Sequence, residues 1–265
     1  MKLIAEIGWN HMGDMDLAKK MIEAAASSGA NYCKFQTWSE KKLVPGSWDN
    51  DGRREIYKKA ELSESQHYYL KEYCEKKNTK FLTTIFNIDD LDFLYKLNPE
   101  IIKIGSPEVY NLKLIESCLE RFSEVLVSTG AAKWSEIQKI ANISKKDNLV
   151  LLHCVSSYPC NAENINFPRM EELKKITKVI GFSGHYDGID DAKIALCKGA
   201  YYVEKHFTID KNLPGRDNKF AILPNDLLEL SKFKKNLEAM DKNQGLDLQK
   251  CEQEVYSNAR GRWSK

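Results

Sequence analysis

Apolar and polar positions alternate along this chain in two rhythms. Eight short segments rich in β-branched or aromatic residues recur at 2–8, 31–37, 80–86, 101–106, 124–130, 148–154, 178–184 and 200–207. They are mostly apolar on both faces, as strands of a parallel sheet are when both sides are covered. Between them run stretches of helical period. Residues 14–29 open on Asp14, suited to capping, and close on Gly29, suited to a left-handed helix end. Residues 63–77 open with Ser63 and Gln66 in capping-box spacing. Further helices are expected at 88–97, 110–122, 133–144, 168–176, 188–198 and 224–241. Strand and helix in alternation, eight times over, predict an α/β fold, a (β/α)8 barrel of TIM type. A doubly wound open sheet is the alternative, and it gives no reason for eight strands. A single barrel domain is expected over 1–241, with 242–265 a polar C-terminal extension. The two longer connections, 38–62 and 207–223, are expected to cover the catalytic face.

In such barrels chemistry collects at the C-terminal strand ends. Reading those ends gives Glu6, Asn10 and His11, then Lys34 and Gln36, then Thr83 and Thr84. Next come Lys103, Ser106 and Glu108, then Ser128 and Thr129, then His153, Ser156 and Tyr158. The last two strands end in Ser183 and His185, and in Glu204, Lys205 and His206. A strand-end Ser or Thr ordinarily satisfies nearby backbone. A lysine inside an apolar strand is different, because an unpaired buried charge is costly. Lys34 and Lys103 therefore either pair with Glu6, Glu108 or Glu204, or face the mouth and bind an anion beside hydroxyl groups. A single histidine at a strand end is ordinarily a satisfied core or rim residue. His185 and His206, at matching depth on successive strands, could instead place two imidazoles on one divalent cation, leaving positions open for substrate oxygens. His11 divides evenly between helix-entry hydrogen bonding and a site role, and His67 reads as surface or packing.

Composition narrows the partners. Forty basic and 38 acidic residues leave a formal charge of +2, which gives no reason to expect nucleic acid or a membrane surface. Seven cysteines without CxxC spacing read as reduced thiols in a cytoplasmic protein. The N-terminal apolar stretch is too short for a signal peptide, and no run approaches a membrane span.

The strand-end motifs together resemble the sialic acid synthase (NeuB) family. The matching stretches are AEIGWNHMGD, CKFQTW, FLTTIF, KIGSPEVYN, VSTGAA, LLHCVSSYP, GFSGHYDG, EKHFTID and PGRDNKF, in family order over roughly residues 3–225. The resemblance implies a barrel that condenses phosphoenolpyruvate with an open-chain aldose, N-acetylmannosamine or a related amino sugar, releasing phosphate. It implies a divalent metal, Mn2+ first and Mg2+ or Co2+ otherwise, on His185 and His206. Phosphoenolpyruvate would be held by Lys34, Thr83 or Thr84, Lys103, Ser106, Ser128 and Ser183. Glu6 and Glu108 match catalytic carboxylates, and Gln36, Tyr158 and Asp217 match residues near the sugar. Several positions depart from the family pattern: Pro107, Ile85, Gly184, Asn218 and Ser156 stand where Gly, Pro, Asp, His and Asn are usual. The family also continues past the barrel into an antifreeze-like (SAF) domain that completes the partner subunit's sugar site, whereas this sequence runs to NARGRWSK. A homodimer, or a separately encoded SAF-domain partner, is implied with that difference. The alternatives are a related barrel enzyme, such as a metal-dependent aldolase or a 3-deoxy-octulosonate-phosphate-type synthase, and a non-catalytic sugar-binding barrel.

Overall fold

The computed structural model describes residues 1–98, 100–144 and 147–263. The β-branched runs form strands β1 (Lys2–Glu6), β2 (Tyr32–Thr37), β3 (Lys80–Ile85) and β4 (Ile101–Ile104). They continue as β5 (Glu124–Ser128), β6 (Leu149–Cys154), β7 (Val179–Gly184) and β8 (Tyr202–His206). All pair in parallel with their sequence neighbours, and β8 closes on β1, so the sheet is a complete barrel rather than an open sheet. The expected helices form as α1 (Met15–Ser27), α3 (Glu64–Lys76), α4 (Leu91–Leu97), α5 (Leu112–Arg121) and α6 (Trp134–Ile143). The remainder are α7 (Phe167–Leu173), α8 (Asp190–Cys197) and α9 (Pro224–Met240). Capping follows the sequence signals: the Asp14 carboxylate accepts from the Asp16 and Leu17 amides, and Ser63 and Gln66 form a reciprocal box.

Two helices fall where none was expected. α2 (Arg53–Ala60) lies within the long β2–α3 connection, and α10 (Gln253–Asn258) lies in the C-terminal stretch. From Asp241 to Trp263 every residue is exposed; residues 264 and 265 of the expected extension lie outside the described residues. The β2–α3 connection folds over the barrel mouth. Arg216, in the β8–α9 connection, donates to the Asp51 carbonyl and pairs with its carboxylate, each at 3.3 Å. Gly13 permits close approach on the other side: its φ is +82°, and a Cβ there would sit 2.2 Å from the Lys59 carbonyl oxygen.

The barrel has two apolar layers. The outer one packs strands against helices through residues such as Leu3, Phe35, Ile104, Val127 and Phe182. The inner one fills the lumen with Ile4, Tyr32, Leu82, Ile101, Leu126, Val150, Leu152 and Tyr202. Successive strand side chains point to opposite faces, so positions two residues beyond these lumen residues also point inward. Those positions are Glu6, Lys34, Thr84, Lys103, Ser128, Cys154 and Glu204. The lumen therefore changes from hydrocarbon to polar in one step at its C-terminal end.

Candidate active site

Four buried charges meet in that polar layer. The Lys34 ammonium lies 2.8 Å from a Glu6 carboxylate oxygen and 3.7 Å from Glu204, and donates to Thr84 Oγ1 at 2.8 Å. Lys103 lies 3.3 Å from the other Glu204 oxygen, which also accepts from Ser183 Oγ at 2.9 Å. Gln36 donates to the second Glu6 oxygen at 2.5 Å. Both lysines thus pair with carboxylates, as the ion-pair expectation has it. Burial opposes ionisation of Glu204, but Lys103 and Lys34 outweigh it and hold the carboxyl at about 2. Burial pushes Glu6 upward against the pull of Lys34. Burial also opposes the charge on Lys34, but Glu204 and Glu6 win and raise it. Burial, with the neighbouring Lys34, lowers Lys103 despite Glu204.

Beside the lysines lies a cradle of small polar groups. Ser106 Oγ accepts from the Gly130 amide at 3.1 Å and donates to Cys154 Sγ at 3.5 Å. The Ser128 hydroxyl is buried without a partner among the described residues, and the buried Ser156 hydroxyl meets only the Tyr158 phenol there. Gly130 has no room for a side chain: a Cβ would sit 2.3 Å from Ser156 Oγ and 2.7 Å from Ser106 Oγ. Buried hydroxyls normally find partners, so this pair suits a ligand rich in oxygen acceptors, such as a phosphate.

The two imidazoles stand at the same mouth, with ring centroids 5.4 Å apart. His185 Nδ1 donates to the Val155 carbonyl at 2.9 Å, and the ring also meets the Cys154 thiol, a contact that Nε2 would exchange for a ligated ion. Burial holds His206 well below the usual imidazole range, with His185 adding to the effect, so the ring is neutral with one nitrogen lone pair available. Its Nδ1 is buried without a hydrogen-bond partner, 3.4 Å from the Asp217 carboxylate. Burial opposes charge on His185, but the adjacent Cys154 raises it, so a cation there competes with a proton. This donor set fits a divalent ion. Among the described residues no three His, Cys, Asp or Glu side chains converge on one point, so His185 and His206 would be the protein's contribution to such an ion.

The other sequence candidates separate by strand face. Thr83 and Thr84 point to opposite faces: Thr84 faces the lumen and accepts a hydrogen bond from Lys34. Thr83 faces outward and bonds to Thr37 at 2.8 Å, which in turn bonds to His67 Nε2 at 2.8 Å. His67 is therefore a buried packing residue, its Nδ1 donating to the Ser63 carbonyl. His153 also faces outward and donates to the Ile165 carbonyl at 2.7 Å. His11 is buried, held at about 4 by burial with His67 adding to it, and accepts from the Gly13 amide at 3.1 Å, the helix-entry role. Glu108 is half-buried on the rim and accepts from Asn111 at 3.0 Å. Tyr158 lies at the opening with its ring centroid 4.1 Å from that of His185. Burial, with Glu6 adding to it, pushes Asp217 to about 7. Asn218 is a loop brace, accepting from Thr208 at 2.5 Å and donating to the Pro214 carbonyl at 2.9 Å. Reading strand ends one by one assigned Glu204 no role of its own and passed over Cys154. Counting in twos from the lumen residues finds both.

The closed barrel and its lysine, hydroxyl and imidazole layer define a (β/α)8 enzyme with its site at the C-terminal strand ends. Residues 21–245 match the NeuB family model, and the chain belongs to that family. An N,N'-diacetyllegionaminic acid synthase of Campylobacter jejuni is 35% identical over 242 residues, covering 85% of this chain and 72% of that protein. A Legionella pneumophila protein of the same name is 34% identical, covering 86% of this chain and 69% of its own. The crystal structure of an N-acetylneuraminic acid synthetase from Leptospira borgpetersenii, in complex with citrate, superposes with a TM-score of 0.86 at 35% identity. That match covers 98% of this chain and 92% of that one. The protein is a transferase, as a synthase of this family is.

Proposed function

We propose that the protein joins phosphoenolpyruvate to the aldehyde of an open-chain N-acylated amino sugar, N-acetylmannosamine or a related diamino sugar, giving a nonulosonic acid and inorganic phosphate. One observation carries the reading. Two buried lysines and the buried Ser128 and Ser156 hydroxyls share a barrel end with two imidazoles, as a phosphorylated substrate and a polarised carbonyl together require. The named products of the relatives point the same way.

In the reaction, C3 of phosphoenolpyruvate bonds to the aldehyde carbon, whose oxygen takes up a proton. Water adds at C2, and the resulting tetrahedral centre loses phosphate as C2 becomes a ketone. Lys34 and Lys103 hold the anionic substrate, with Ser106, Ser128 and Thr84 supplying hydrogen bonds to its oxygens. Ser183 exchanges its bond to Glu204 for one to the ligand. Glu108, whose carboxylate accepts from Asn111, takes the proton of the attacking water. Glu6, fixed by Lys34 and Gln36, positions the reacting groups. Gln36, Tyr158 and Asp217 contact the sugar. His185 and His206 would hold a divalent ion, Mn2+ foremost, which when bound would supply Lewis-acid polarisation of the acceptor carbonyl.

The test is incubation with phosphoenolpyruvate, Mn2+ and a panel of aldoses, reading free phosphate and product mass. Phosphate release with an adduct of the expected mass supports the reading. Consumption of pyruvate in place of phosphoenolpyruvate, or inertness toward every amino sugar, overturns it.

Two substitutions separate the roles. Lys103→Ala is expected to weaken phosphoenolpyruvate binding by about tenfold or more while leaving Mn2+ binding near wild type, since one charge-assisted contact is lost; calorimetry with each ligand checks it. Thr84→Val should weaken phosphoenolpyruvate binding. Thr83→Val should lower stability by about 1 kcal/mol and leave that binding unchanged, because its hydroxyl serves the outer layer. Equal effects on binding from both would contradict the facing of β3.

A further inference from the structure

Lys205 and Asp191 lie outside the pocket, in the layer between the strands and α8. Both are buried, at 3% and 1% exposure. The Lys205 ammonium donates to both Asp191 oxygens, at 3.0 and 2.9 Å, and to the Tyr186 carbonyl at 2.8 Å, which uses all three of its protons. Gly184 is the β7 neighbour of Lys205 in register. A Cβ on Gly184 would sit 2.2 Å from Asp191 Oδ2. The carboxylate from α8 thus fills the volume that a side chain at 184 would take.

A buried ion pair of this kind is weak evidence for stability, since apolar residues of similar size commonly serve as well. Its third bond shows what else it does. Tyr186 follows His185 directly, and Lys205 precedes His206 directly. The backbone around His185 is held at several points: its Nδ1 by the Val155 carbonyl, its own carbonyl by the Cys160 amide at 2.9 Å, the Tyr186 carbonyl by Lys205, and the Tyr186 amide by the Asp191 carboxylate. The first two reach back to the segment after β6. The third ties the His185 turn to the strand that carries His206.

We propose that Lys205 and Asp191 are positioning residues that set the separation and aim of the His185 and His206 imidazoles, with Gly184 making room for the carboxylate. The proposal rests on the reading of those histidines as the metal-binding pair. Lys205 fixes the Tyr186 carbonyl relative to β8, and Asp191 holds the ammonium in place for that bond. Neither touches substrate or metal.

Lys205→Met leaves Asp191 buried and unpaired, so its folding defect alone would decide nothing. The informative variant is the double substitution Asp191→Leu with Lys205→Met, which removes both charges and fills the space with hydrocarbon. Its melting temperature is expected to stay near wild type. Its Mn2+ affinity, by calorimetry, is expected to fall about tenfold or more, as for lost outer-shell support. In the metal-free protein, long-range 1H–15N spectra should show the His185 and His206 imidazole signals displaced and those of His67 and His153 unmoved. Mn2+ affinity within about twofold of wild type, or unmoved His185 and His206 signals, overturns the positioning role. Wild-type protein that takes up no divalent ion overturns the metal reading instead, and the metal-free spectra still decide whether Lys205 orients the rings.

Discussion

Glu204→Gln is expected to destabilise the protein by about 3–5 kcal/mol at neutral pH, the range for breaking a buried ion pair from one side. Gln keeps the shape and can still accept from Ser183, so the change isolates the charge. Without it, Lys103 loses its carboxylate and Lys34 is left with Glu6. The loss should depend on pH. The Glu204 carboxyl sits at about 2 in the folded chain against an ordinary 4.5. Its contribution is therefore complete above the unfolded value and declines as pH falls toward the folded one. Wild type and variant should converge as the medium is acidified from about pH 5 toward pH 2. Denaturant unfolding across that range is the measurement. A loss under about 1 kcal/mol at pH 7 would mean that Glu204 does not carry the lysines.

The second large effect concerns the imidazoles. His185→Ala and His206→Ala should each lower Mn2+ affinity by more than the roughly 10–100-fold typical of outer-shell changes, because each removes a direct ligand. The same variants should bind phosphoenolpyruvate with less change, since the lysines and hydroxyls remain. Calorimetry with metal and then with phosphoenolpyruvate separates the two. Unchanged Mn2+ binding in both variants would remove the histidines from the metal site.

Most of the fold was legible because hydrophobic period and helix punctuation agree along the chain. All eight strands begin within two residues of their expected starts, and Asp14 and Ser63 cap as their spacing suggests. α2 was not legible: Arg53–Ala60 is too short and polar to show an apolar stripe, and it is braced by Arg54 to Glu40 and Asp49 instead. At the site, residue type was readable and facing was not. Thr83 and Thr84 are identical in chemistry and adjacent, and the lumen position of Leu82 two residues earlier tells them apart. Glu204 looked like one carboxylate among several until the barrel brought it between two lysines from β2 and β4. Asp191 could not be found at all, because its partner is 14 residues away and its place depends on the missing side chain of Gly184.

The two ammonium groups and two carboxylates of the polar layer cancel, counting Glu6 as ionised, and the overlying loop nearly balances as well: Lys41, Lys42, Arg53, Arg54, Lys58 and Lys59 stand against Glu40, Asp49, Asp51, Glu55 and Glu61. The mouth thus projects little field into solvent, so a trianion meets attraction only at contact range. Its capture rate should change little between dilute buffer and high ionic strength, as stopped-flow measurements can establish.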